Sequence, residues 1–328
     1  MSKAGGITAT PGATRGAGDG GRQAANQQRA TQGRLLIAAA ATLWGTSATL
    51  ARFVFHERAV SPFVVVELRL LFAIAVLAPL LLWRRPDALR VRREDLRYFL
   101  ILGLFGVTTV QGSYYFTISR LGVGLAILLQ YLAPALIVLW GLVRGQRIAP
   151  LVGAAVVAAI AGTALLVGGV HPTAIGARPL DWAVGFASAL FFAFYIVYSK
   201  RGLGRYPPET VLLYTFAIAA VVWAVITPPW RILQAGYSPS LWGMFFALGM
   251  LSTLLPFTLF YLGLARLPAA EAGIVATFEP VVALVSAWLF LGERLAPLQW
   301  LGAALVLLAS VMASWRDPTR AISPVDVA

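Results

Sequence analysis

Tyr114-Tyr115-Phe116-Thr117-Ile118-Ser119-Arg120-Leu121 is followed, fourteen residues after its arginine, by Pro134. Phe260-Tyr261-Leu262-Gly263-Leu264-Ala265-Arg266-Leu267 is followed, again fourteen residues after its arginine, by Pro280. The two passages lie 146 residues apart in a chain of 328. Each proline sits inside a long apolar run, and only the second has a carboxylate beside it, Glu279. Polar and proline landmarks recurring in order indicate duplication, because shared apolar composition explains only the matching Leu and Ala.

The composition says what is duplicated. The chain is 59% hydrophobic and 12% charged, with a mean hydropathy of +0.79, where a soluble protein carries about 25% charged residues. Apolar runs recur along the chain, and a helix needs about 20 residues to cross the hydrocarbon core. The expected fold class is all-α, a polytopic membrane protein. Ten transmembrane helices are predicted, at 35–55, 62–83, 97–119, 121–143, 148–169, 181–199, 209–228, 240–264, 268–291 and 297–314. The short alternating segments of a membrane barrel are absent.

The landmarks align spans one to five with spans six to ten. Leu102-Gly103 matches Leu248-Gly249, and Gly145-Gln146-Arg147 matches Gly292-Glu293-Arg294. Five is odd, so the second copy is inserted upside down: two inverted five-helix repeats, at 34–171 and 172–315. Such repeats place binding at the midplane between the halves. Residues 1–33 read as a disordered cytoplasmic tail and 316–328 as a short C-terminal one, also cytoplasmic.

Net charge is +13. On a soluble protein this would suggest nucleic acid as a partner; here the basic residues report orientation instead. With both termini cytoplasmic, 19 of 26 Lys and Arg fall on the inner side. Trp83, Trp182, Trp230 and Trp315 near span ends fit interfacial anchors. With no cysteine, disulfides and thiolate metal sites are excluded. Neither a phosphate-binding glycine loop nor a catalytic cluster is present, so the chain does not read as an enzyme, and no cofactor is implied.

At Trp44-Gly45, at Glu67-Leu68-Arg69, and from an alanine seven residues before Glu279-Pro280 through Leu291-Gly292-Glu293, the chain resembles the drug/metabolite transporter superfamily, specifically the EamA-like ten-helix exporters. The resemblance covers about residues 34–315. It implies a secondary exporter of small metabolites such as amino acids or nucleobases in the cytoplasmic membrane. It also implies a central cavity lined by spans 1, 3, 4, 6, 8 and 9. A channel-like facilitator is the alternative class, and a membrane-embedded enzyme a more distant one.

Glu279 leads the candidate residues, because a carboxylate at mid-membrane costs about 2.5–3.5 kcal/mol unless neutral, paired or wet. It reads as a ligand for a substrate amine or as a carrier of a coupling proton. The bland alternative is a protonated carboxyl bonded to a carbonyl freed by Pro280. Trp44, Tyr114, Gln130, Tyr131, Tyr195, Phe257 and Tyr261 are the other candidate substrate contacts; their rings can stack on planar or apolar solutes. Pro134 and Pro280 are candidate hinges.

Arg69 reads as structural or gating, with Arg52 the candidate partner for nearby Glu67. Glu271 reads as a first-turn charge favoured by the helix dipole. Ala154, Ala158 and Gly162, Ala309 and Ala313, and Gly141 with Gly145 read as close-packing seams, toward the other half or a second protomer of a homodimer. The solute, the bilayer and protons complete the partner expectations.

Overall fold

The computed structural model describes residues 15–57, 60–121, 123–167, 177–291 and 296–314. These form helices and no strand. In chain order they are α1 (Arg15–Glu57), α2 (Pro62–Arg84), α3 (Leu96–Ile101), α4 (Thr109–Leu121), α5 (Val123–Gln130), α6 (Ala133–Val143), α7 (Pro150–Val167), α8 (Pro179–Leu203), α9 (Pro208–Ile226), α10 (Pro229–Gln234), α11 (Pro239–Gly249), α12 (Leu255–Leu264), α13 (Ala269–Ala276), α14 (Phe278–Leu291) and α15 (Pro297–Ser314). Seven stretches among the described residues are long and apolar enough to cross a membrane: 63–84, 93–118, 124–143, 150–167, 179–203, 208–226 and 239–264. This is a polytopic helical architecture. Proline at the first helical position, where no N–H is needed, opens α2, α7, α8, α9, α11 and α15.

The irregularities of the two halves match. A π turn at Leu102–Thr108 joins α3 to α4, and another at Met250–Leu254 joins α11 to α12. The break between α5 and α6 falls at Tyr131-Leu132, and the break between α13 and α14 at Thr277. Tyr131 and Thr277 are separated by the same 146 residues as the sequence landmarks. Each break precedes a proline by two or three residues. Pro134 and Pro280 have no N–H for the carbonyls four residues back, those of Gln130 and Ala276, so the ladder opens there. The turns tighten instead: Leu132 N–H donates to the Leu129 carbonyl at 3.1 Å and Thr277 N–H to that of Ile274 at 3.1 Å. At about 12 and 21 Å, α13 and α14 are each too short to span about 30 Å alone.

Packing is reciprocal between the halves. Helix α1 lies on α12, α13 and α14, while α8 lies on α4, α5 and α6. Helix α2 packs on α9, and α7 on α15. A Cβ at Gly103 would strike Ile218 at 2.7 Å, and one at Gly249 would strike Phe72 at 2.8 Å; 218 and 72 are again 146 apart. Between α7 and α15, a Cβ at Gly162 would meet the Gly302 carbonyl at 2.8 Å, and one at Gly302 the Gly162 carbonyl at 2.6 Å.

Several expectations change. The tail expected to be disordered through residue 33 is helical from Arg15; Ala, Gln and Arg from Arg22 onward sustain a helix propagating from the apolar run, while the four glycines at 16–21 oppose it. The small-residue stripe of α7 is rotated by about one position. Ala154 is exposed, whereas Ala155, Ala159 and Gly162 are buried, facing α15 of the same chain. Gly141 and Gly145 do not form an interhelical seam. Gly145 has φ +75° and ends α6, with Gln146 N–H donating to the Gly141 carbonyl at 2.9 Å, a C-terminal glycine cap. Trp83 and Trp230 are exposed. Residues 316–328, Trp315, His171 and the Gly292-Glu293-Arg294 passage lie outside the described residues.

Candidate functional site

The two helix breaks meet. Tyr131, at the first, donates its phenol O–H to Glu279 Oε2 at 2.6 Å. Glu279 is the second residue of α14, at an interior helix N-terminus whose dipole favours a negative charge. Helix α1 comes close enough to touch this turn at Gly45, where a Cβ would sit 2.8 Å from the Glu279 carbonyl oxygen and 2.8 Å from the Ala283 nitrogen. Glu279 thus joins α14 to the break between α5 and α6, with α1 packed against its backbone. Pro134, on the other side of the first break, packs against Gly273 of α13.

Arg69 is a tie between helices. It is buried, and its Nε donates to Thr253 Oγ1 at 2.7 Å, one terminal nitrogen to the Ser252 carbonyl at 2.9 Å, and the other to the Tyr115 hydroxyl. The Ser252 carbonyl is available because Pro256, four residues on, lacks the N–H that would have bonded it. Trp44 Nε1–H takes the same oxygen at 3.1 Å. One proline in the second half therefore docks both Trp44 and Arg69. Pro256, Ser252 and Thr253 were not singled out from sequence, though Tyr115 was among the aromatic rings expected to face the cavity; a further proline within a span was the available signal.

The candidate contacts divide by exposure. Trp44, Tyr114, Gln130, Phe257 and Glu279 keep part of their surface accessible, whereas Tyr131, Tyr195 and Tyr261 are buried. Trp44 meets Phe257 edge-on at 5.1 Å, and Tyr114 meets Tyr115 edge-on at 5.6 Å. Tyr195 stacks on Tyr261 at 5.7 Å, and the Tyr261 hydroxyl bonds Ser199 at 2.9 Å. These two tyrosines are packed together, and among the candidates Tyr131 bonds Glu279.

Polar ties join the helices toward one end of the bundle. Lys200 Nζ donates to the Leu264 carbonyl at 2.9 Å and to that of Leu267, capping α12. Arg34 Nε donates to Glu271 at 2.7 Å, so Glu271 has an ion-pair partner besides its first-turn position. Arg205 and Tyr206 both bind Asp95, at 2.9 and 2.6 Å. At the opposite end Arg120 lies 3.6 Å from Asp181.

The described residues contain no cluster of three His, Cys, Asp or Glu able to hold a metal. Arg52, the expected partner of Glu67, and His56 have side chains outside the described ones. Glu67 itself is fully buried.

The model of the EamA-like transporter family matches this chain twice, at residues 31–168 and 182–315. An uncharacterized inner membrane transporter of Salmonella typhimurium, YicL, is 30% identical over 298 residues, 88% of this chain and 97% of its own length. The threonine/homoserine exporter RhtA of Escherichia coli is 29% identical over 233 residues, 69% of this chain and 74% of its own. A crystal structure of another protein matches with a TM-score of 0.69 at 23% identity, over 86% of this chain and 96% of that one, which shows a common fold.

Proposed function

Because the chain belongs to the EamA-like transporter family, we propose that it exports a small amino-bearing metabolite by alternating access between two inverted five-helix repeats. The observation that carries this reading is the meeting of the two matched helix breaks at the Tyr131–Glu279 hydrogen bond. Duplicated breaks give each half a hinge beside the same polar point, as a rocking carrier requires. The double family match, the reciprocal packing and the repeated 146-residue spacing support ten spans in two inverted copies.

Glu279 accepts the ammonium group of the substrate. Its Oε2 is held by the Tyr131 hydroxyl, which fixes the carboxyl beside the break between α5 and α6. Gln130 offers a carboxamide, and Trp44, Tyr114 and Phe257 offer apolar faces. The similarity to a threonine/homoserine exporter supports small amino acids as the first substrates to try. The excess of basic residues on the tied side supports a cytoplasmic tied end, with both chain termini there. Outward release then precedes a step in which the Arg34–Glu271 and Lys200 ties part to admit solute from inside.

The test is a thermal-stability screen of purified protein against threonine, homoserine and other amino compounds, followed by counterflow of labelled hits in proteoliposomes. A ligand at 100 times its Kd stabilises by about 2.7 kcal/mol. The reading predicts stabilisation by at least one small amino compound and saturable counterflow of it. Stabilisation by none would remove the substrate class, and unsaturable flux would replace the carrier with a channel.

A further inference from the structure

Glu67 is the anomaly that the Glu279 site does not use. It is 0% exposed, and neither carboxylate oxygen has a hydrogen-bond partner among the described residues. An ionised carboxylate so placed is not tolerated; the group takes a proton instead. A metal cation is a poor alternative, because sodium- or calcium-like ions need several oxygen ligands, and the described residues hold no group of three His, Cys, Asp or Glu that could bind one.

Among the described residues, the surrounding charges are committed elsewhere. On α2, Arg69 lies two residues away on a different face and is held by Thr253, Tyr115 and Ser252, while Arg84 is at the far end. On α9, Glu209 pairs with Arg85 and Tyr214 bonds the Leu89 carbonyl. On α4, Arg120 lies against Asp181, and Tyr114 and Tyr115 adjoin Arg69 and Glu279. Asp87, in the turn after α2, pairs with Arg90. Helix α11 and the π turn at Met250–Leu254 carry no titratable side chain.

A second orphan lies nearby. Trp223 on α9 is buried, and its indole N–H has no acceptor among the described residues. Its ring stacks on Phe63 at 5.6 Å, and Phe63 is one turn before Glu67 on the same face of α2. An acceptor and a donor, both unpaired, therefore flank one α2–α9 contact.

We propose that Glu67 is a proton-carrying site distinct from the Glu279 substrate site, loaded in this conformation and emptied when α2 shifts on α9. The step is addition of one proton to a carboxylate and its later loss to water; no other bond changes. Donation from the Trp223 N–H in the shifted state favours the ionised form there. That gives the two conformations different proton affinities, without which no coupling is possible. Proton entry at Glu67 and amine binding at Glu279 then make the exporter a proton antiporter. The coupling rests on the transport reading; the protonation does not.

Infrared spectroscopy of the reconstituted protein at neutral pH tests it. The wild type is expected to show a protonated-carboxyl C=O band that Glu67→Gln removes and Glu279→Gln leaves. Glu67→Asp, the fallback should the glutamine variant fail to fold, is expected to shift that band. Absence of the band from wild type, as pairing of Glu67 with Arg52 would produce, overturns the proposal, as does a band that neither Glu67 variant alters. In proteoliposomes loaded with threonine, Glu67→Gln is expected to lose at least tenfold of proton-gradient-driven accumulation while keeping exchange. If wild type moves no threonine, the substrate reading fails and the infrared result still decides the protonation site.

Discussion

Counterflow in the Glu279→Ala protein is expected to fall at least 30-fold, with the protein as stable in detergent as the wild type or more so. Removing one member of a desolvated ammonium–carboxylate pair costs at least about 2 kcal/mol of binding, and each 1.4 kcal/mol is tenfold. Stability is retained because, among the described residues, the Glu279 carboxyl is held by one phenol bond. Loss of a single neutral partner is cheap by comparison. The check is the pair of readouts together: ligand-dependent stabilisation lost, ligand-free stability retained. A variant that transports normally removes Glu279 from the route, and one that merely unfolds assigns it a structural role.

Gly45→Val is expected to leave little folded protein. Its Cβ alone would stand 2.8 Å from two backbone atoms of α14, the Glu279 oxygen and the Ala283 nitrogen. Backbone does not swing aside as a side chain does, so α1 must move bodily, and overpacking of this kind costs about 1–3 kcal/mol and occasionally more. Helix α1 also carries Trp44, whose indole is fixed to the Ser252 carbonyl, so displacement undoes the second-half docking as well. Size-exclusion recovery after solubilisation reads the effect. Gly153→Val and Gly243→Val are the controls, since a Cβ at either has nothing within 4 Å. Equal recovery of all three would contradict the tight α1–α14 contact.

Local features were legible in the sequence; distant partners were not. Pro134 and Pro280 located the helix breaks to within three residues, because loss of an N–H acts on a carbonyl at a fixed distance along the chain. The ninth span was nonetheless read as one helix from 268 to 291, since its hydropathy does not change at Thr277. Hydropathy likewise could not see that α1 begins at Arg15. Glu279 stood out as the unmatched charge, and its partner Tyr131 was among the candidates, yet their pairing joins positions 148 residues apart.

Arg69 shows the same limit: its bonds run to residues 46, 183 and 184 positions away. Pro256 was readable as a helix irregularity, but the freed Ser252 carbonyl has meaning only once Trp44 and Arg69 are beside it. The α7 stripe was displaced by one position because an Ala-rich helix offers small residues on every face, and only the partner α15 decides which face is used.

The chain has no cysteine, so single cysteines can be placed in an otherwise native background. Labelling of Gln130→Cys by a membrane-impermeant thiol reagent, applied from either side of oriented proteoliposomes with and without a transported amino acid, addresses alternating access around Glu279 directly. The account predicts labelling from the outer side in the resting protein and from one side at a time throughout, with the ratio shifted by substrate. Simultaneous labelling from both sides in one population would contradict it.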